Sequence, residues 1–117
     1  MPNYMLLLHE QPSDFSQYSA EDIQAVIAEY VAWRHSIESQ GKFVHAEKLK
    51  DEGGRHLTMT DAGLRVTDGP YAEAAEVIGG YFAISADSYD DAVKLAADCP
   101  HLKYGGRIEL REIEPTG

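Results

Sequence analysis

The feature that most constrains this chain is the segment from Ser19 to Gly41, an amphipathic helix with both of its ends specified locally. Ser19 can cap the N-terminus, Asp22 three positions on completes an approximate capping box, and Glu21 favours the helix dipole. Ile23, Val26, Ile27, Tyr30, Trp33 or Arg34, and Ile37 recur at three- and four-residue spacing and make one apolar stripe. Gly41 then ends the helix as a C-terminal cap. Such a stripe needs a second layer to pack on. The apolar run at 4–9 and the loosely alternating run at 42–49 read as the strands that flank it.

The remaining punctuation extends this pattern. Residues 10–18 are polar, carry Pro12 and read as a loop. Asp51-Glu52-Gly53-Gly54 is a turn cluster. It leads into a hairpin, 55–60 and 64–67, across a turn at Asp61-Ala62-Gly63. Asp68-Gly69-Pro70 breaks the chain again. Residues 77–86 form a strong strand, with a bulge or close backbone approach expected at Gly79-Gly80. Ser88 caps a second helix with Asp91 at its third position; Val93, Ala96 and Ala97 mark its packed face, and Pro100 ends it. The last strand is expected over 107–113.

The order is β-α-β-(hairpin)-β-α-β. Without the hairpin it is the split β-α-β pattern of a ferredoxin-like α+β domain, an antiparallel sheet with both helices on one face. The other face is then expected to hold Met5 or Leu6, Tyr81 or Phe82, and Ile108 with Leu110. A face that apolar requires a cover, so a homodimer, sheet facing sheet, is expected.

Composition narrows the partners. The 117 residues suit a single domain spanning 1–117. Twenty acidic residues against 10 basic ones leave a formal net charge of −10. Such a surface repels phosphate backbones and anionic lipids, so neither a nucleic acid nor a membrane is an expected partner. Cys99 is the only cysteine, which excludes an intrachain disulfide and fits a reducing compartment. The opening run Met5-Leu6-Leu7-Leu8 lacks a basic flank and is too short for a signal core or a span, so a cytoplasmic protein is expected.

The stretch Val66-Thr67-Asp68-Gly69-Pro70-Tyr71-Ala72-Glu73, followed by Gly79-Gly80-Tyr81-Phe82, resembles the signature of the DGPF proteins, within the YCII-related superfamily of bacterial α+β domains. The opening Tyr4-Met5-Leu6-Leu7, the helix ending at Gly41, and the stretch from Ala92 to Arg107 fit as well, so the resemblance covers nearly the whole chain. It implies a dimeric α/β barrel with a cleft at the subunit interface. In YCII-like relatives a histidine on the first helix pairs with an aspartate in that cleft, and one relative removes chloride from a chlorinated hydroxyquinone. Some DGPF proteins are linked to extracytoplasmic-function sigma factors. Here Tyr30 stands where the helix-borne histidine belongs, and Tyr71 where phenylalanine is usual. His35 lies one and a half turns beyond Tyr30 and points away from its face.

The candidate site follows from these residues. Asp68 reads first as a turn-capping aspartate, with Gly69 supplying a positive φ; in a cleft it becomes an acid or base whose pKa burial raises. Tyr30 lies on the apolar stripe and offers a hydroxyl to a neighbour or ligand. Together Asp68 and Tyr30 are the candidate catalytic pair, with His9, Pro70, Tyr71 and Tyr81 as candidate ligand contacts. The five histidines lack the i, i+4 spacing or Cys/His clustering of a zinc site, so no metal is expected. No dinucleotide fingerprint, P-loop or nucleophile elbow appears, and no cofactor is expected. Cys99 reads as a small buried residue, away from a helix N-terminus.

The favoured reading is a small-molecule binder with an interface cleft centred on Asp68. The alternative is a regulatory protein acting with a sigma factor, whose acidic surface meets a basic partner. A dehydrochlorinase-like lyase stands third, because Tyr30 titrates far above the neutral range that such a base requires.

Overall fold

The computed structural model describes residues 1–11, 17–69 and 76–116. β1 (Asn3–Glu10) leads into α1 (Ala20–Ser39) and the edge strand β2 (Phe43–Lys48). A hairpin of β3 (Arg55–Thr60) and β4 (Gly63–Asp68) follows. β5 (Val77–Ser85), α2 (Tyr89–Ala97), the short α3 (Pro100–Lys103) and β6 (Arg107–Ile113) complete the order. The main sheet runs β2-β5-β1-β6 and is antiparallel throughout, while β3 and β4 form a separate two-stranded sheet. β1 and β2 therefore lie parallel with β5 between them, and β5 and β6 with β1 between them. This is the split β-α-β order expected from the sequence.

The caps hold α1 as its sequence dictates. The Asp22 amide donates to Ser19 Oγ and the Ser19 amide to Asp22 Oδ2, both at 3.1 Å, a complete capping box. Gly41 takes φ 70° just beyond the last turn, the left-handed step that a side chain resists. The Asp91 amide likewise donates to Ser88 Oγ at the start of α2. Pro100 both stops α2 and opens α3 from its first turn, where its missing N–H costs nothing. α3 is an element that the sequence reading did not separate, and it makes Cys99 the residue preceding a helix rather than one remote from a helix start.

Alternate residues of β1 (Tyr4, Leu6 and Leu8) are buried with Ile84, Ala86, Trp33, Ile37, Ala92, Ala96 and Cys99. Leu6 sits opposite Phe82 on one side and Leu110 on the other, and Leu8 opposite Ile108. Ile108 and Leu110 thus pack under the helices, which corrects the expectation that they lie on the outer face. That outer face carries Met5, Leu7 and Tyr81 among charged residues. His9 Nε2 donates to Glu109 Oε1 at 2.9 Å, Arg107 pairs with Glu76 at 2.9 Å, and Arg111 with Glu109 at 3.3 Å. The odd-numbered face of β1 is therefore mixed, with Met5, Leu7 and Tyr81 half-buried among these ion pairs.

The expected irregularity at Gly79-Gly80 is a bulge. Leu8 pairs with Gly80 and His9 with Ile78, leaving Gly79 as the extra residue. A Cβ on Gly79 would require the Glu10 carboxylate to move, and one on Gly80 would come within 2.7 Å of the Glu47 carbonyl.

Candidate functional site

The apolar stripe of α1 packs unevenly. Its C-terminal half, Trp33 and Ile37, is buried, whereas Ile23 and Ile27 remain 39% and 47% exposed. Val26 between them is buried, and a cleft of about 680 Å³ opens between this half of α1 and the β2–β5 edge. Its apolar walls are Ile23, Val26, Ile27, Val31, Leu8, Ala46 and Phe82, with Tyr30 and His101 set among them. Glu10, Gln11, Arg34, Glu47, Lys48 and Asp51 supply its polar lining, and the bulged Gly79-Gly80 forms part of the wall. The volume falls in the range of small-molecule sites, as does the mixture of apolar wall and a few convergent polar groups.

The central polar pair is Tyr30 and His101. Tyr30 Oη lies 3.1 Å from His101 Nδ1, and His101 Nε2 lies 2.7 Å from the His9 carbonyl. A carbonyl only accepts, so Nε2 carries the proton. In the neutral ring Nδ1 is then the acceptor, and the Tyr30 hydroxyl donates to it. His101 is 4% exposed, with both ring nitrogens engaged. Burial is the chief cause of the upward shift in the Tyr30 pKa, and Cys99, Glu10 and Tyr104 reinforce it, so the hydroxyl keeps its proton. With that proton committed to His101, Tyr30 presents oxygen lone pairs to any further partner. Its ring stacks parallel to Phe82 at 6.4 Å, and Trp33 meets Phe82 edge-on at 4.8 Å.

A second tyrosine–histidine pair stands on the outer sheet face, between β2 and β5. Tyr81 Oη is 2.6 Å from His45 Nδ1, and His45 Nε2 is 3.3 Å from Glu47 Oε1. The carboxylate orients the ring so that Nδ1 accepts from the tyrosine. Tyr81 and Glu47 both contribute to the cleft lining.

Of the candidate residues, Tyr30 and Tyr81 line the same cleft. The His9 side chain lies with Glu109 and Glu76 on the outer sheet face, while its carbonyl holds His101. Asp68 ends β4 with its side chain 87% exposed, 3.3 Å from Arg55 Nε, and is not among the residues that line the cleft. Gly69 does not adopt a positive φ; its backbone packs directly on Gly53, and its amide donates to the Gly54 carbonyl at 2.9 Å. That close approach is the reason for glycine at both positions. Pro70 and Tyr71 lie outside the described residues.

Sequence reasoning missed His101, whose setting in the four-residue α3 is invisible to periodicity. One signal was present: Gly106, where any Cβ would collide with the His101 ring. Among the described residues no group of three His, Cys, Asp or Glu side chains is arranged to hold a metal ion, and no helix is long and apolar enough to cross a membrane.

Comparison with known proteins is consistent with this architecture. The family model of the YCII-related domain matches residues 3–116. An uncharacterized protein of Rhizobium meliloti (strain 1021) is 30% identical over 118 aligned positions, covering 94% of this chain and 90% of the relative. A family match from the first strand to the residues beyond the last, with a relative of similar extent, places the chain in the YCII-related domain family.

Proposed function

We propose that the protein binds a small, largely apolar or aromatic molecule in the cleft between α1 and the β2–β5 edge, with Tyr30 as the polar anchor. The observation that carries this reading is the Tyr30–His101 pair set in the wall of a cleft of about 680 Å³. His101, clamped by the His9 carbonyl, accepts a hydrogen bond from the Tyr30 hydroxyl and leaves the tyrosine oxygen as an acceptor. The preferred ligand therefore brings a hydrogen-bond donor, an O–H or N–H, to the Tyr30 position. Phe82 and the aliphatic wall supply the burial energy, at roughly 25 cal/mol per Å² of apolar surface removed from water.

Two features favour binding over base-driven elimination. His101 has both nitrogens engaged, and burial keeps Tyr30 a phenol rather than a phenolate. A free base at neutral pH is what a dehydrochlorinase-like lyase needs. The exposed, arginine-paired Asp68 supports a place for it outside the binding cleft of its own chain. The sigma-factor alternative draws only on the net charge of −10 and on resemblance, whereas a sized cleft with an oriented polar group speaks for a small ligand.

The test is a titration with 2-naphthol and 2-methoxynaphthalene, read by amide chemical-shift changes in ¹⁵N-labelled protein. Saturable shifts centred on Val26, Ile27, Tyr30 and Phe82, with naphthol bound several-fold more tightly, are expected. Tyr30→Phe should abolish the preference. If neither compound shifts these amides, or if the methoxy compound binds equally well, the reading is wrong.

A further inference from the structure

Among the described residues the cleft lining holds two cations, Arg34 and Lys48, and they differ in how far their charge is matched. Lys48 Nζ donates to the Leu49 carbonyl at 2.8 Å and to Asp51 Oδ1 at 2.9 Å, so it is fully engaged. Arg34 is not. Its Nε lies 3.4 Å from Glu38 Oε1, one turn on along α1, which is long for a charge-assisted hydrogen bond. Neither of its terminal η nitrogens has a partner among the described residues. The guanidinium is nonetheless held in place, because its central carbon sits 4.2 Å from the centroid of the Phe43 ring. Stacking of that kind fixes the plane and leaves the N–H edges for other partners.

Position gives this unpaired edge a use. Arg34 follows Tyr30 by four residues, so the two stand one turn apart on one side of α1, about 6 Å along its axis. Both line the cleft, with Val31 beside them and Ala46 and Phe82 on the sheet side. A flat molecule lying along this row, with its donor at Tyr30, brings its other end to the guanidinium. The carboxylates of the lining are engaged elsewhere. Asp51 is paired with Lys48, Glu47 is turned to His45 Nε2 at 3.3 Å on the outer sheet face, and the Glu10 carboxylate lies against Gly79.

We infer that Arg34 reads a carboxylate, so that the ligand class of the cleft is an aromatic acid with an O–H or N–H at the end away from its carboxylate. The donor end bonds to Tyr30 Oη. The carboxylate accepts two parallel N–H bonds, end-on, from the two η nitrogens of Arg34. A planar fork meets both oxygens of a carboxylate at once, which a lysine ammonium does not. Two ends of unlike chemistry also fix the direction in which the molecule lies, and an apolar wall by itself leaves that direction open.

This assignment rests on the cleft reading, and the probes separate the two. Titrations near neutral pH, followed by amide shifts, compare 2-naphthol, 6-hydroxy-2-naphthoate, its methyl ester and 6-(aminomethyl)-2-naphthol. The acid should bind about tenfold more tightly than its ester and than 2-naphthol, and the Arg34 Nε–H signal should move with the acid alone. The Arg34 side chain is 47% exposed, so Arg34→Met and Arg34→Lys should both keep the native circular dichroism. Arg34→Met should lower the acid-to-ester affinity ratio to one or below, and Arg34→Lys should restore only part of it. An acid bound no better than its ester, an amine preferred to the acid, or a ratio that Arg34→Met leaves standing overturns the assignment. If 2-naphthol binds and the carboxylate adds nothing, the cleft reading survives and Arg34 alone is removed. If the acid binds through Arg34 and Tyr30→Phe leaves its affinity unchanged, the carboxylate site stands and the Tyr30 anchor falls. Silence from all four compounds overturns both.

Discussion

Tyr30 shows how much a single side chain's meaning depends on its neighbour. On the helix stripe it counts as one more core aromatic, and in the fold it is one end of a Tyr30–His101–His9 chain of hydrogen bonds. Tyr30→Phe keeps the ring stacked on Phe82 but leaves His101 Nδ1 buried without its donor. The expected cost is about 1–3 kcal/mol, read as a lowered urea midpoint with an unchanged slope. Gly106→Ala should produce a similar loss by another route, because the added methyl would push the His101 ring off the His9 carbonyl. Cys99 offers a contrasting case. It is buried, and burial pushes its thiol up to about 11, against a weaker opposing hydrogen bond from the backbone of His101. It should resist alkylation at pH 8 in the folded protein and react fully once denatured, as followed by intact mass.

At the scale of elements, α1 links fold to site. Its start is set by the Ser19–Asp22 capping box, its middle by Trp33, and its end by Gly41. Trp33 Nε1 donates to the Leu95 carbonyl at 3.0 Å and packs edge-on against Phe82, joining α1 to α2 and to the sheet. Ser19→Ala should cost about 0.5–2 kcal/mol, measured by thermal unfolding. Because Ile23, Val26 and Ile27 in the first turns of α1 line the cleft, the same substitution should also weaken naphthol binding. Gly79→Ala tests the bulge: its side chain meets the Glu10 carboxylate, so it should displace a residue of the cleft rim and shift the amides of β1 and β5.

Across the whole molecule the acidic composition is managed by local pairing. Glu76 and Glu109 sit below the usual carboxylate range, Glu76 chiefly through its hydrogen bond with Arg107 and Glu109 chiefly through that with His9. Glu29 is lowered chiefly by Lys103, whose own pKa is raised chiefly by the same hydrogen bond. Depressed carboxylates contribute stability that is fully present above their unfolded value, near 4.5, and lost as pH falls through the lower folded values. The raised Lys103 contributes below its ordinary 10.5 and is lost as pH rises beyond it. These groups are solvent-facing, so the effect is small and screened. Thermal midpoints should therefore be flat through neutrality, fall progressively below about pH 4.5, and fall less steeply once Glu76 and Glu109 are both replaced by Gln.

Local pattern was enough for the order of the strands and the two longer helices, for the caps of those helices, the hairpin and the bulge, because each depends on residues within a turn or two of one another. Spacing on α1 likewise identified Tyr30, whereas the choice between Met5 and Leu6 for the outer face of β1 stayed open until the register was known. What sequence could not reveal was the partner of Tyr30: His101 lies 71 positions away, and only the packing of α3 against α1 and β1 brings the two together. Nor could it assign faces to β6, where a one-residue choice of register decides whether Ile108 and Leu110 meet the helices or the solvent. Asp68 marks the same boundary. The end of its strand was legible from Asp-Gly-Pro, but its exposure beside Arg55, apart from the cleft, is a property of where the hairpin points. The Ser19–Gly41 helix was determined by its own residues, whereas the gap beneath its first turns was decided by tertiary packing, since burial is a relation between distant surfaces rather than a property of a segment.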